Sequence, residues 1–354
     1  MIKLYGRLVA SLFFLLFSCV YSCVYAVNID KIVVFGDSLS DSGNIFSLTA
    51  MAHNSIPLIP VIPKDPPYYN GRFSNGLIWT DHLAMEMHAE QINYAYGGSW
   101  AEPFKDSKLI IPFGLGMQVN FYLVSSALDF HKENHLYVIW SGGNDYVNGR
   151  ADADEATTNT VASIQSQIDW LVYYGAKNLL VLNVPDLGAV PEVTARGPDF
   201  IAGVRRLVTL HNQKFADMIR KMQLVYPEVK IVSGDTTQYF DDLIVNPDKF
   251  HLKNVTQACY DGGYWLKARG LDTREFKAVQ AARQADIDIL NTPSLRTAYL
   301  TSEMSLAGEK SCANPDEYLF WDHIHPTRVV HQLISSILVR ELRAHGIYGR
   351  NEAQ

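Results

Sequence analysis

The chain has 354 residues, 48% of them hydrophobic, with 30 basic and 37 acidic side chains and a formal net charge of −7. That is enough chain for a full α/β core, and too apolar a composition for a disordered or fibrous protein. The acidic balance argues against a nucleic-acid partner and against electrostatic capture by an anionic membrane.

The first segment reads as an export signal. Lys3 and Arg7 precede an apolar run from Leu8 to Phe17, and Val24 and Ala26 suit a cut before Val27. Residues 1–26 are therefore expected to be a signal peptide and 27–354 a single domain. The run is shorter than the ~20 residues that span a bilayer, which weighs against a membrane anchor. Bulky Phe17 and Tyr21, two residues before Cys19 and Cys23, weigh against lipid attachment. Cleavage leaves 28 basic and 37 acidic side chains, a net charge of −9. It also leaves Cys259 and Cys312, and in an exported chain such a pair reads as a disulfide. Two buried free thiols are the alternative.

Short β-branched runs then alternate with helical periodicity. KIVVF (31–35), LYVIW (136–140), LLVLN (179–183) and VKIVS (229–233) read as strands buried on both faces, with INYAY (92–96) a weaker one. Helical spacing marks Val161 to Val172, Val204 to Val225 and Val330 to Leu338, and a helix is expected near 77–87. This rhythm predicts a central parallel sheet with helices on both sides, and a site at the carboxyl ends of its strands. Two segments break the pattern. Residues 54–76 are rich in proline and aromatics, and residues 259–312 form an insertion bracketed by the two cysteines.

Polar clusters follow the strands. Gly36-Asp37-Ser38-Leu39-Ser40 comes after the first, Gly97-Gly98 after the weak one and Ser141-Gly142-Gly143-Asn144-Asp145 after LYVIW. Trp321-Asp322-His323-Ile324-His325-Pro326 precedes the last helix. Singly, each has a plain reading as a helix cap or a turn. Asp322, His323 and His325 would also suit a metal, but no further ligands stand at the right spacing, so none is expected. Together the clusters supply an acyl-transfer site. Ser38 is the candidate nucleophile, and His325 is its base in preference to His323, being three residues from Asp322. The backbone N–H groups of Ser38 and Gly98 and the Asn144 amide are the candidate oxyanion donors.

These four blocks, in this order, resemble those of the GDSL, or SGNH, serine hydrolases, over about Ile32 to Leu342. The Gly-x-Ser-x-Gly elbow of the α/β-hydrolases is absent, because position 40 is serine. The resemblance implies a flavodoxin-like three-layer α/β/α fold with a central parallel sheet, and ester hydrolysis without a cofactor. It carries the same roles to Ser38, Gly98, Asn144, Asp322 and His325. PPYYNGRFSNGLIWTDHLA (66–84), NYAYGGSWA (93–101) and NVPDLGAVP (183–191) resemble the exported bacterial lipolytic branch, which includes phospholipases A, lysophospholipases and glycerophospholipid:cholesterol acyltransferases.

The expected function is thus a secreted or periplasmic serine esterase. It would act on phospholipid or lysophospholipid at a membrane or micelle surface, with acyl transfer to an alcohol such as cholesterol as a second outcome. A carbohydrate acetyl esterase shares all four blocks, and a non-catalytic surface-binding protein is the third reading. Ile56, Leu58, Ile59, Val61, Ile62, Tyr68, Tyr69 and Phe73 are expected either to receive lipid chains or to cover the sheet edge. The loop 260–311 is expected to be either a lid opened by an activating protease or a passive stapled segment.

Overall fold

The computed structural model describes residues 26–55, 61–103, 114–147, 149–262, 310–350 and 352. The predicted signal segment lies outside them except for Ala26, as do Ile56, Leu58 and Ile59 and all of 263–309.

After a two-residue strand β1 (Val27–Asn28), the predicted runs form β2 (Lys31–Gly36), β3 (Glu90–Asn93), β4 (His135–Trp140), β5 (Asn178–Leu182) and β6 (Lys230–Gly234). The last five make one all-parallel sheet in the order β3-β2-β4-β5-β6. Gly36 pairs with Trp140, Trp140 with Leu182, and Leu182 with Gly234, so four carboxyl ends finish level.

Alternation along each strand divides the core in two. Ile32, Val34, Val138, Leu180 and Val232 face one side, where α2 (Trp79–Glu86) and α9 (Arg328–Ala344) bring Trp79, Leu83, Ile334 and Leu338. Val33, Phe35, Ile139, Val181 and Ile231 face the other, against α3 (Leu115–Ser125), α5 (Ala153–Tyr173) and the C-terminal half of α7 (Pro198–Val225). Each fully buried aliphatic side chain here stabilises the fold by ~1.5–3 kcal/mol. The result is the three-layer α/β/α arrangement that the resemblance implies.

Among the described residues the other α-helices are α1 (Asn44–Ser55), α4 (Gly143–Tyr146), α6 (Pro191–Thr194) and α8 (Thr236–Val245), with four 3-10 turns and three short strands. Of these strands, β7 (Asn254–Ala258) pairs with β8 (Tyr318–Phe320), and β9 (Ile347–Tyr348) with β1. Cys259 and Cys312 are disulfide-bonded, so the two stems of the insertion lie side by side. The proposed lid itself falls almost wholly outside the described residues.

The weak strand ends at Asn93, three residues short of INYAY. The Asn93 side chain explains the break: its Oδ1 accepts the Ala95 N–H at 2.9 Å and its Nδ2 donates to the Ser40 carbonyl at 2.7 Å. An asparagine that bonds its own backbone two residues on favours a turn over a continued ladder.

Candidate active site

Strand β2 delivers the chain into a tight turn in which the Ser40 and Asp41 N–H groups both donate to the Asp37 carbonyl at 3.0 Å. Ser38 sits in this turn. At the strand end, a Cβ on Gly36 would come within 2.4 Å of the Trp140 carbonyl oxygen, so only glycine lets β2 and β4 close. Asp41 then caps α1. Its Oδ1 accepts the Gly43 and Asn44 N–H groups, and its Oδ2 accepts those of Ile45 and Gly97. The run of acids and amides after Ser38 is therefore partly a helix start and partly a latch onto the Gly97-Gly98 loop. Burial pushes the Asp37 carboxyl up to about 6, against the Leu39 N–H and the nearby His325 charge. Asp41 is likewise pushed up to about 6 by burial, against the N–H groups of Gly43 and Gly97.

The loop before α9 supplies the partner groups. His325 Nε2 lies 2.8 Å from Ser38 Oγ, and His325 Nδ1 lies 2.9 and 2.7 Å from the two oxygens of Asp322. Asp322 Oδ1 also accepts the Ile324 and His325 N–H groups, at 2.8 and 2.7 Å, which fixes the turn. All three side chains are buried, Ser38 being 6% exposed. Burial would raise the Asp322 carboxyl, but the adjoining His325 ring and the Tyr68 hydroxyl outweigh it and hold it below its ordinary value. An ionised carboxylate can only accept, so Nδ1 carries the imidazole proton and Nε2 is left to accept from the Ser38 hydroxyl. Both imidazole nitrogens are thus engaged inside the protein, as in a proton relay rather than a ligand set. His323 points elsewhere: its Nε2 lies 3.4 Å from the Asp261 carbonyl, and its own carbonyl accepts the Glu192 N–H.

Gly98 and Asn144 meet at the third side. Gly98 has φ +79°, a left-handed conformation that favours glycine. Asn144, on α4, donates from Nδ2 to the Ser99 carbonyl at 2.8 Å. The next residue, Asp145, accepts the Ala101 and Glu102 N–H groups at 3.0 and 2.9 Å, and burial pushes its carboxyl up to about 7. Gln118 of α3 donates to Ser99 Oγ and exchanges two bonds with the Gly36 backbone. Segment 97–102 is therefore tied to the Asp41 cap of α1, to α4 and to α3. Among the described residues, no acceptor engages the backbone N–H of Ser38 or Gly98. Asn144 lines the same cleft as Ser38, and its amide with the Ser38 and Gly98 N–H groups is the candidate set for receiving a developing oxyanion.

The proline-rich excursion closes the site from outside. Tyr68 donates from its hydroxyl to Asp322 Oδ2 at 2.5 Å, and the Phe73 ring lies 5.0 Å from the His325 ring. Ser74 Oγ donates to the Pro326 carbonyl, and the Arg328 N–H donates to Asn75 Oδ1. Ile62, Tyr68 and Phe73 are buried, whereas Tyr69 is 41% exposed. The lipid-receiving reading is corrected for those three: Tyr68 and Phe73 pack inward against the Asp322–His325 loop, and Ile62 is held at Thr49 of α1. Sequence reasoning grouped Tyr68 with apolar neighbours and missed its hydroxyl. The available signal was a pair of phenols, Tyr68 and Tyr69, after a run of prolines and beside the Gly-Arg-Phe-Ser turn.

A cleft opens at Ser38 and Asn144. Its walls are largely apolar: Leu39, Val147, Leu187, Val190, Phe240, Ile244, Phe320 and Ile324. Phe240 and Ile244 come from helix α8, and Pro185 to Leu187, Ala189 and Val190 line the cleft from the segment after β5.

Comparison with known proteins gives a consistent result. The family described as "GDSL-like Lipase/Acylhydrolase" matches residues 32–338. The phosphatidylcholine-sterol acyltransferase of Aeromonas hydrophila is 30% identical over 312 residues, covering 86% of this chain and 88% of that protein. The thermolabile hemolysin of Vibrio parahaemolyticus is 25% identical over 312 residues, 87% of this chain and 62% of its own length. The secreted effector protein SseJ of Salmonella typhimurium is 25% identical over 326 residues, 90% of this chain and 64% of its own length. The chain thus spans less than two thirds of the last two relatives.

Proposed function

This chain belongs to the GDSL-like lipase/acylhydrolase family and is an ester-hydrolysing enzyme; from that premise we propose that it is an exported phospholipid or lysophospholipid acyl hydrolase. The reading is carried by one observation, the unbroken hydrogen-bond chain from Asp322 through His325 to Ser38 at the mouth of an apolar cleft. Ser38 Oγ attacks the ester carbonyl while its proton passes to His325 Nε2. The tetrahedral oxyanion is received by the Ser38 and Gly98 N–H groups and the Asn144 amide. Collapse breaks the carbon–oxygen bond, and the leaving alkoxide takes the proton back from His325. Asp322 stays ionised throughout and stabilises the imidazolium. Water then attacks the acyl-enzyme, its proton going to His325, and the fatty acid and free Ser38 result. An alcohol entering in place of water would instead give a new ester.

The apolar walls supply a surface for an alkyl chain, where an acetyl group would need none. The acyltransferase relative, similar along most of both chains, supports a glycerophospholipid donor and transfer as a second outcome. Export is supported by the reading of residues 1–26 and by the Cys259–Cys312 bond, which belongs to an oxidising compartment. The test is one assay of the purified protein against lysophospholipid, diacyl phospholipid and acetylated xylan, with and without a sterol. Fatty-acid release from the lipids, and little acetate from xylan, is the expected result. Preference for acetylated xylan would replace this reading with that of a carbohydrate esterase.

A further inference from the structure

The contact between Tyr68 and Asp322 joins segments 254 positions apart. We propose that Tyr68 is a positioning residue: its hydroxyl fixes the Asp322 carboxylate so that His325 presents Nε2 to Ser38. The proposal rests on reading Ser38, His325 and Asp322 as the acyl-transfer triad.

Three observations carry it. The first is the hydrogen-bond inventory of Asp322. Oδ1 takes the two N–H groups of its own turn, so its grip on the chain is local. Oδ2 shares His325 Nδ1 and takes the Tyr68 hydroxyl, a bond that comes from outside the turn. Since the carboxylate has no proton to give, Tyr68 must be the donor. Phenylalanine at position 68 would leave a buried anion short of one donor, and such donors count for more beside a charge than between neutral groups.

The second observation is that the tyrosine ring cannot easily swing away. It makes edge contacts with Phe73, Tyr260 and Trp321, at ring separations of 6.2, 5.8 and 6.4 Å. Tyr260 stacks on Trp321 at 5.5 Å and donates its N–H to the Trp321 carbonyl. Tyr260 also directly follows Cys259, whose carbonyl accepts the Cys312 N–H and whose sulfur is bonded to Cys312. The disulfide thus braces the ring cluster in which Tyr68 is seated, one residue away from Asp322 itself. A donor fixed in advance holds its acceptor without having to be ordered at each turnover.

The third is that the excursion is latched to the same loop at two further points, Ser74 to Pro326 and Arg328 to Asn75. These flank the triad loop and set where Tyr68 lies, so the phenol position does not depend on its own bond to Asp322.

Tyr68→Phe removes one oxygen and keeps the ring packing. Its kcat should fall about tenfold with KM little changed, because the carboxylate's orientation matters to proton transfer and not to substrate contact. The sign of the pH effect follows from the donor. Losing it leaves the carboxylate more basic and so a stronger partner for the imidazolium, which should move the acid limb of kcat/KM to higher pH. In an Asp322→Asn background, the same change should cause little further loss. Thermal unfolding of each variant reports folding separately. If Tyr68→Phe keeps the wild-type kcat and acid limb, or if its loss multiplies fully with that of Asp322→Asn, Tyr68 is merely packing and the proposal falls. If Asp322→Asn alone turns over like wild type, the triad reading fails and takes this proposal with it.

Discussion

One hydrogen of the Asn144 amide holds the Ser99 carbonyl, and the side chain lines the same cleft as Ser38. Its neighbour Asp145 accepts the Ala101 and Glu102 N–H groups of the same segment, so α4 positions both the proposed Asn144 donor and the loop that carries Gly98. Asn144→Ala should therefore lower kcat ~100- to 1,000-fold, since the amide's best hydrogen bond forms only with the oxyanion. KM should change much less. Steady-state kinetics on a soluble ester checks this, and a pure rise in KM at unchanged kcat would place Asn144 outside the oxyanion set. The candidates at this scale were readable from residue type and order. A serine, a glycine, an asparagine and an Asp-x-x-His-Pro group, each just after or before a regular element, left few other chemistries. Tyr68 was not readable, because nothing local to a proline-rich tract says that a phenol will reach a carboxylate 254 positions away.

Among the elements, α8 sits where polar and apolar residues are evenly mixed, and no strand or helix was expected there. Its Phe240 and Ile244 nonetheless form one wall of the cleft beside Ser38. Ile244 is only partly buried, so enlarging it fills the cleft without overpacking the core. Ile244→Trp should cut kcat/KM for a palmitoyl ester about tenfold or more relative to an acetyl ester, each methylene displaced from an apolar wall being worth ~1 kcal/mol. Equal losses on the two esters, measured side by side, would mean that the acyl chain runs elsewhere. The strands of the central sheet, by contrast, were legible almost to the residue, because β-branched runs buried on both faces leave a continuous apolar signature, whereas the short β1, β7, β8 and β9 were not foreseen. The exception, β3, ended early where Asn93 turned the backbone toward Gly97.

At the scale of the molecule, one parallel sheet brings the ends of four strands level and lets distant segments converge there. The turn after β2, the loop after β3, helix α4 and the loop before α9 each contribute one part of the site. The excursion and the disulfide-braced stems hold that loop from outside. The architecture followed from the alternation of strands and helices. The outer bracing did not, because its contacts are made between irregular segments whose spacing carries no period. The central claim is that Ser38 is the nucleophile of an acyl-enzyme. The direct measurement is intact-mass and peptide mapping after exposure to a long-chain alkyl fluorophosphonate, an ester mimic that bonds to an activated serine. One adduct should form, on the peptide carrying Ser38, with loss of lipid hydrolysis in step; Ser38→Ala should fold normally, take no adduct and release no fatty acid. An adduct on another residue with Ser38 untouched, or wild-type turnover by folded Ser38→Ala, would contradict the account.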